Sequence, residues 1–185
     1  MIKGLHHNGY RCRDSEETRR FYEDFLGLRL AGTLWIKETL SGRKTDTLHT
    51  FYQLDDGSYL AFFEAPDTPF EFKPQHDYDL HIALEVDKAI LEPMMAKGKA
   101  AGIETRGISD HHFLHSIYFR DPNGYVIELT ARMPNHAKEM DPAINGAREK
   151  LRRWAAAKAA APSWAQSNPP QALQRGRRRP VTTAA

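Results

Sequence analysis

Three side chains in this sequence, two imidazoles and one carboxylate, could hold a metal ion and leave room for a substrate. Glu128 lies in the run Tyr125-Val126-Ile127-Glu128-Leu129-Thr130, with Ile127 and Leu129 on either side. A carboxylate inside an apolar strand is costly unless it is paired, hydrogen-bonded or bound to a metal. The competing reading is an edge strand with Glu128 facing water. His7 and His81 stand at matching places in a duplicated pattern. Two imidazoles and a carboxylate form a facial triad, which keeps coordination positions open and suits Fe(II), Mn(II) and related divalent ions. A lone strand histidine is more often a hydrogen-bonded core residue, so the weight rests on the matched positions. His6 rivals His7, because strand alternation points one of them inward and the other away. The nine histidines fall in small groups, His6-His7, His111-His112 and His115, a distribution that raises the question of metal.

The elements that must place these residues are readable in order. Leu5 to Arg13 is expected to be a strand. Asp14 then N-caps a helix, with Glu17 completing a capping box. Phe21, Tyr22, Phe25 and Leu26 form its apolar face, and Gly27 closes it. Strands are expected over Leu28–Leu34, Thr47–Leu54 and Tyr59–Glu64, the last two flanking the Asp55-Asp56-Gly57 turn. Pro66, Pro69 and Pro74 mark a linker. The pattern restarts with a strand over Asp79–Asp87, a helix over Ile90–Ala101 and a strand or loop over Glu104–Ile108. A hairpin follows over Ser116–Thr130, turned by Asp121-Pro122-Asn123-Gly124. The halves repeat at about 75 residues, a duplication rather than a solenoid. Each half reads as βαβββ. The fold class is therefore α+β, with two modules curving a mixed sheet around a metal-binding cavity. Module 1 spans 3–68 and module 2 spans 78–132, together forming a single domain over 1–132. If a pseudo-twofold relates the halves, His7 and His81 face each other at the centre and Glu128 reaches the same point.

Composition narrows the class. The chain has 185 residues, 41% hydrophobic and 27% charged, which is ordinary for a globular protein. A single cysteine, Cys12, excludes an intramolecular disulfide and suits a reducing cytoplasm. No apolar run is long enough to span a membrane, and the N-terminus carries no signal-peptide core. The formal net charge is only +2, so no whole-protein electrostatic case for nucleic acid exists. Residues 133–161 read as a partly helical extension, with Ile144, Leu151 and Trp154 as its few large apolar residues. From Pro162 to Ala185 the composition predicts disorder. Its cluster Arg175-Gly176-Arg177-Arg178-Arg179 reads as a solvated terminus rather than a nucleic-acid or membrane tail, because no aromatic or glycine repeat accompanies it.

Two motifs carry a resemblance. His7, then Asp14, then Phe21-Tyr22-Glu23-Asp24-Phe25-Leu26-Gly27-Leu28 resembles the opening of the vicinal oxygen chelate superfamily. That group includes glyoxalase I, fosfomycin-resistance enzymes, bleomycin-resistance proteins and type I extradiol dioxygenases. Asp121-Pro122-Asn123-Gly124-Tyr125-Val126-Ile127-Glu128 is similar to its metal-glutamate hairpin. The resemblance covers residues 3 to 132. It implies paired βαβββ modules and a divalent metal on His7, His81 and Glu128, with Fe(II) favoured and Mn(II), Ni(II) or Zn(II) also compatible.

One fold hosts many chemistries, and two details divide them. His111, Tyr118, the turn and Glu128 together resemble the extradiol dioxygenase signature, although Ser109 departs from it. That resemblance implies that Tyr118, with His111 or His115, assists catalysis. The acid–base histidine such enzymes carry before the last strand of the first module is absent from Asp56-Gly57-Ser58-Tyr59, and His49 is the nearest substitute. Glu64 pulls toward glyoxalase I, whose fourth ligand and base is a glutamate near the end of that strand. The expectation is a metal-dependent dioxygenase for a small oxygen-chelating substrate, an aromatic diol among the candidates. A glyoxalase-type isomerase using Glu64 stands as the alternative, and non-catalytic small-molecule binding as the third class. Phe51, Phe62, Phe63 and Tyr59 read either as core or as an aromatic ligand wall. A cytoplasmic homodimer acting on a small molecule, with neither membrane nor nucleic acid as partner, completes the expectation.

Overall fold

The computed structural model describes residues 1–160. It divides after His136 into a unit over 1–136 and a second unit beginning at Ala137. The expected disordered tail, 162–185, lies outside the described residues.

The first unit holds two βαβββ modules. Module 1 comprises β1 (Tyr10–Arg11), α1 (Ser15–Arg19, wound more widely over Arg20–Phe25), β2 (Arg29–Glu38), β3 (Lys44–Gln53) and β4 (Tyr59–Glu64). Module 2 comprises β5 (His81–Glu85), α2 (Lys88–Ala100), β6 (Thr105–Asp110), β7 (Leu114–Arg120) and β8 (Val126–Arg132). The strand orders are β1-β4-β3-β2 and β5-β8-β7-β6, so the duplication read from the sequence is a duplication of topology. The strands form two separate four-stranded sheets, each with one parallel pair. The expected first strand over 5–13 shrinks to two residues plus a bridge between His7 and Tyr59.

Capping chemistry fixes α1. Asp14 accepts a hydrogen bond from the Glu17 backbone N–H at 2.7 Å, which satisfies one of the orphan donors at a helix start. The Ser15 N–H donates to Glu64 Oε2 at 2.7 Å. Both carboxylates meet the positive end of the helix.

One core serves both sheets. Tyr22, Phe25, Tyr52 and Phe62 of module 1 pack in the same cluster as Ile82, Leu84, Leu91, Ile117, Phe119, Ile127 and Leu129 of module 2. Phe25 meets Phe119 edge to face, with ring centroids 5.1 Å apart. Such aromatic pairs add about 0.5–1.5 kcal/mol beyond burial. The Asp121–Gly124 turn anchors module 2 on module 1. Asp121 Oδ2 accepts from Tyr22 Oη at 3.0 Å, and Asn123 Oδ1 accepts from the Arg13 N–H at 2.9 Å. The linker crosses this turn closely: a Cβ on Gly124, whose φ is +94°, would lie 2.3 Å from the Lys73 carbonyl oxygen. Only glycine fits there.

The shared core has a consequence for the site. Strand alternation sends one face of each sheet into the core and the other away from it. Glu128 lies between Ile127 and Leu129, both core residues, and so projects from the opposite face. His7 and the Glu128 carboxylate are therefore not brought across a common cavity within one chain, as the pseudo-twofold reading expected.

In the second unit, α4 (Ala147–Ala160) follows the short α3 (His136–Glu139) that bridges the boundary. Helix α4 fills the later part of the stretch 133–161 expected to be partly helical. The Ala147 N–H donates to Asn145 Oδ1 at 2.9 Å, and Gly146 at φ +65° breaks the preceding chain. Among the described residues no helix is long and apolar enough to cross a membrane.

Candidate metal centre

His81 opens β5, which runs parallel to β8 with His81 beside Val126 and Ala83 beside Glu128. That register brings His81 Nε2 to 3.4 Å from Glu128 Oε2. Two ligand atoms bound at right angles, each about 2.1 Å from one ion, stand about 3 Å apart. The pair therefore fits two adjacent positions around a divalent cation. The tautomer fits as well. His81 Nδ1 lies 2.7 Å from the Asp77 carbonyl oxygen, which can only accept. Nδ1 carries the proton and Nε2 presents its lone pair toward the carboxylate, the outer-shell arrangement common to metal-bound histidines. Glu128 is 7% exposed, and a carboxylate so buried calls for a charged or hydrogen-bonding partner.

Tyr118 stands directly across from Glu128 in the β7–β8 ladder. Its hydroxyl lies 3.4 Å from Glu128 Oε1 and 2.8 Å from His111 Nε2. One phenol proton serves one acceptor at a time, so His111 and Glu128 together decide where Tyr118 donates. Burial, and then the charge of Glu128, raises the Tyr118 pKa and keeps the phenol protonated. Arg106 lies over the Tyr118 ring, 5.0 Å from its centroid, and donates to Asp77 at 2.8 Å. These groups line an open cleft of about 660 Å³ together with Tyr78.

The structure thus brings His81, Glu128, Tyr118 and His111 together and leaves three of the expected residues elsewhere. His115 projects from the other face of β7, three residues from Tyr118, and its Nε2 lies 3.5 Å from Asp110 Oδ1. Glu64 is occupied at the start of α1. The register explains why Glu64 does not mirror Glu128. His7 bridges to Tyr59 as His81 pairs with Val126, so two residues further on Ala61 takes the place of Glu128. His7 belongs to an aromatic cluster of module 1. Its Nδ1 is 2.8 Å from His6 Nδ1, and its ring centroid is 6.0 Å from that of His49 and 5.6 Å from that of Phe51. Among the described residues no three histidine, cysteine or acidic side chains converge on a metal-sized point.

Sequence reasoning missed Asp77 and Arg106. Asp77 acts through its backbone carbonyl, to which residue type is silent, and Arg106 reaches the cleft through cross-strand pairing with Tyr118.

The family described as Glyoxalase/Bleomycin resistance protein/Dioxygenase superfamily matches residues 4–129. Solved structures share the fold at low identity. The fosfomycin resistance protein FosX from Listeria monocytogenes, complexed with Mn(II) and sulfate, is 22% identical over 75% of this chain and 99% of its own, with a TM-score of 0.56. A glyoxalase/dioxygenase from Nostoc punctiforme is 23% identical over 71% of this chain and 92% of its own, at 0.54. A glyoxylase/bleomycin resistance protein/dioxygenase domain from Frankia sp. EAN1pec is 18% identical over 75% and 99%, at 0.58. No curated protein matches the chain.

Proposed function

The chain belongs to the glyoxalase/bleomycin resistance protein/dioxygenase superfamily, and from that premise we propose that it is a metal-dependent, extradiol-type dioxygenase for a small oxygen-chelating substrate. The observation that carries this reading is the Tyr118 hydroxyl, held between His111 and Glu128 beside the His81–Glu128 pair. Two protein groups that handle protons thus border the open side of a metal-competent pair.

His81 and Glu128 supply two ligands, and His7 of a second copy supplies the third. Module 1 places His7 at the position equivalent to His81 but carries Ala61 where the carboxylate belongs. Each module holds what the other lacks. A twofold pair of chains, the commonest oligomeric arrangement, assembles two such sites. A divalent ion there, Fe(II) by preference, would supply Lewis acidity toward two substrate oxygens and one-electron chemistry toward O₂. The Asp77 carbonyl orients His81. Tyr118 is placed to donate its proton to a substrate oxygen in the cleft, and His111 to resupply it. The buried free thiol of Cys12 suits the reducing cytoplasm.

Less supports the glyoxalase-type alternative. Glu64 is engaged with the Ser15 N–H, and its strand position is not that of Glu128. A purely binding role leaves the fixed His81 tautomer and the Tyr118–His111 pair without a task. The test is metal analysis of protein purified without added metal, followed by oxygen uptake with a panel of catechols. Stoichiometric iron and catechol-dependent uptake are the expected results. Metal-loaded protein that consumes no oxygen with any catechol, yet isomerises a hemithioacetal, would reject the proposal.

A further inference from the structure

The groups around the cleft of module 2 close into a ring of contacts. Tyr118 Oη lies 3.4 Å from Glu128 Oε1, and Glu128 Oε2 lies 3.4 Å from His81 Nε2. His81 Nδ1 donates to the Asp77 carbonyl at 2.7 Å. Asp77 accepts in turn from Arg106 Nη2 through both carboxylate oxygens, at 2.8 and 3.0 Å. Arg106 completes the ring. Its guanidinium carbon is 5.0 Å from the centre of the Tyr118 ring, and its backbone is the cross-strand partner of Tyr118. The metal chemistry uses His81, Glu128 and Tyr118 and gives the Asp77–Arg106 link no role.

The members of this ring are not held equally well by the fold. His81, Arg106, Tyr118 and Glu128 stand on β5, β6, β7 and β8, so ladder hydrogen bonds set their backbones. Asp77 stands in a turn outside the sheet, where the Asp79 and Leu80 N–H groups donate to the His76 carbonyl at 2.9 and 3.1 Å. Gln75, two residues earlier, has its own anchors: its N–H donates to the Gly124 carbonyl at 2.8 Å, and its carbonyl accepts from Arg120 at 3.1 Å. Asp77 reaches the sheet through its carboxylate and Arg106. The His81 side chain is 44% exposed, so packing alone does not hold its ring, which turns about two side-chain bonds. The Asp77 carbonyl stops that rotation, and an acceptor orients a ring only as well as it is itself fixed.

We propose that Arg106 is a positioning residue for the metal site, acting through Asp77. Its hydrogen bonds to the Asp77 carboxylate place the carbonyl that orients His81, and its guanidinium lies on the ring of Tyr118. One cation thereby refers a metal ligand and a proton donor to the same strand, β6. The inference rests on the reading of His81 and Glu128 as metal ligands. Arg106 and Asp77 are 45% and 29% exposed in their side chains, and an ion pair so open to solvent adds little to folding. Its effect is on position, and so it falls on metal affinity rather than on stability.

The test titrates Zn(II) into metal-free, full-length protein against a competing chromophoric chelator and follows urea unfolding of the same metal-free samples. Arg106→Met keeps an apolar stem over Tyr118 and removes the donor. Asp77→Ala removes the carboxylate and keeps the carbonyl. Each should weaken zinc about tenfold, the low end for loss of an outer-shell partner, with the urea midpoint close to wild type. The double variant should bind zinc no more weakly than either single one, because the two side chains act as a unit. Arg120→Met is the comparison. It frees Gln75 and Glu104 but not Asp77, and should leave zinc affinity close to wild type. Unchanged zinc affinity in either single variant overturns the proposal, and so do additive losses in the double variant. A loss in Arg120→Met as large as in Arg106→Met overturns it too, since general loosening of the linker then explains both. Failure of the underlying reading looks different: a wild type that takes up no zinc, or Glu128→Ala protein that binds it as tightly, removes the metal site itself and the proposal with it.

Discussion

Modules 1 and 2 have the same strand order and the same two kinds of strand pairing, yet only one of them carries a metal-competent pair. Position by position, module 2 offers His81, Tyr118, Ser116, Glu128 and Thr130. Module 1 offers His7, Phe51, His49, Ala61 and Phe63 in the corresponding places. The backbone that sets these positions is common to both. What differs is one carboxylate and the polarity around it. A scaffold can thus be duplicated while its chemistry is divided, with one copy keeping the charge and the other the apolar surface. Only the matched histidine is retained on both sides, which is what a site shared between modules requires.

The sharpest way to break this comparison is to remove the carboxylate that only module 2 has. Glu128→Ala and His81→Ala should each strip the metal and lower oxygen uptake by at least about a thousandfold, the scale of a lost metal centre. Glu64→Gln should keep the metal and most of the activity. It weakens only a cap on α1, at about 1 kcal/mol in a urea unfolding curve. Loss of metal from Glu64→Gln would show that module 1 contributes a carboxylate after all, and the contrast between the modules would collapse.

A mixing experiment tests whether the two halves of the chemistry meet across chains. His7→Ala protein retains Glu128, and Glu128→Ala protein retains His7. If the site is shared, random mixed twofold dimers contain one intact site each, and about a quarter of wild-type activity returns when two inactive variants are unfolded and refolded together. No recovery, with mixed dimers demonstrated by mass, would place His7 outside the metal site.

Much of this was legible in the chain. Asp14 as a cap, the Asp121–Gly124 turn and the βαβββ order follow from local propensity and short-range hydrogen bonding. His115 could have been set aside by alternation alone, since it is an odd number of residues from Tyr118 and faces the other way. Glu64 was harder. Its place near the end of its strand left the register open, and only the pairing of β4 with the chain at His7 puts Ala61 where Glu128 stands in module 2. Hardest was the choice of which sheet faces share the core. Residues on both faces of β8 are buried in the fold, the polar face with Glu128 included, and alternation alone does not say which face meets module 1. That choice is made by contacts distant in sequence, such as Phe25 with Phe119 and Tyr22 with Asp121, and it decides whether His7 and His81 meet within one chain.

The two hairpin turns give a third contrast, this time in stability. Asp121 is 4% exposed. It accepts from the N–H groups of Asn123 and Tyr125 at 2.9 and 2.8 Å, from Asn123 Nδ2 at 3.0 Å and from Tyr22 Oη at 3.0 Å. Asp121→Ala leaves several buried donors unsatisfied and should cost about 3–5 kcal/mol. Asp56, in the matching turn of module 1, accepts among the described residues only from Ser58, through N–H and Oγ at 2.9 and 2.6 Å. Asp56→Ala should shift the urea midpoint far less. Equal costs would mean that the Asp121 turn does not anchor one module on the other.

The smallest predicted effect again separates the modules, at their helices. Helix α1 has Glu16 and Glu17 in its first turn, whereas α2 has no acidic residue there. Arg19 donates to both Glu16 oxygens at 2.9 Å and reaches Glu23 and Asp24 as well. The Arg19 hydrogen bonds are the main cause that holds the Glu16 carboxyl down at about 2. A carboxyl whose folded value lies below its unfolded one stabilises the protein above the unfolded value, and that stabilisation is lost as pH falls through the folded one. The urea midpoint of wild type should therefore exceed that of Glu16→Gln at neutral pH, and the gap should close between about pH 4.5 and pH 2. The gap should be small throughout, because the pair is exposed to solvent, and it should shrink in high salt. A gap that stays constant with pH would mean that Glu16 acts through helix propensity rather than charge. The acid sensitivity of module 1 would then have to come from its other carboxylates.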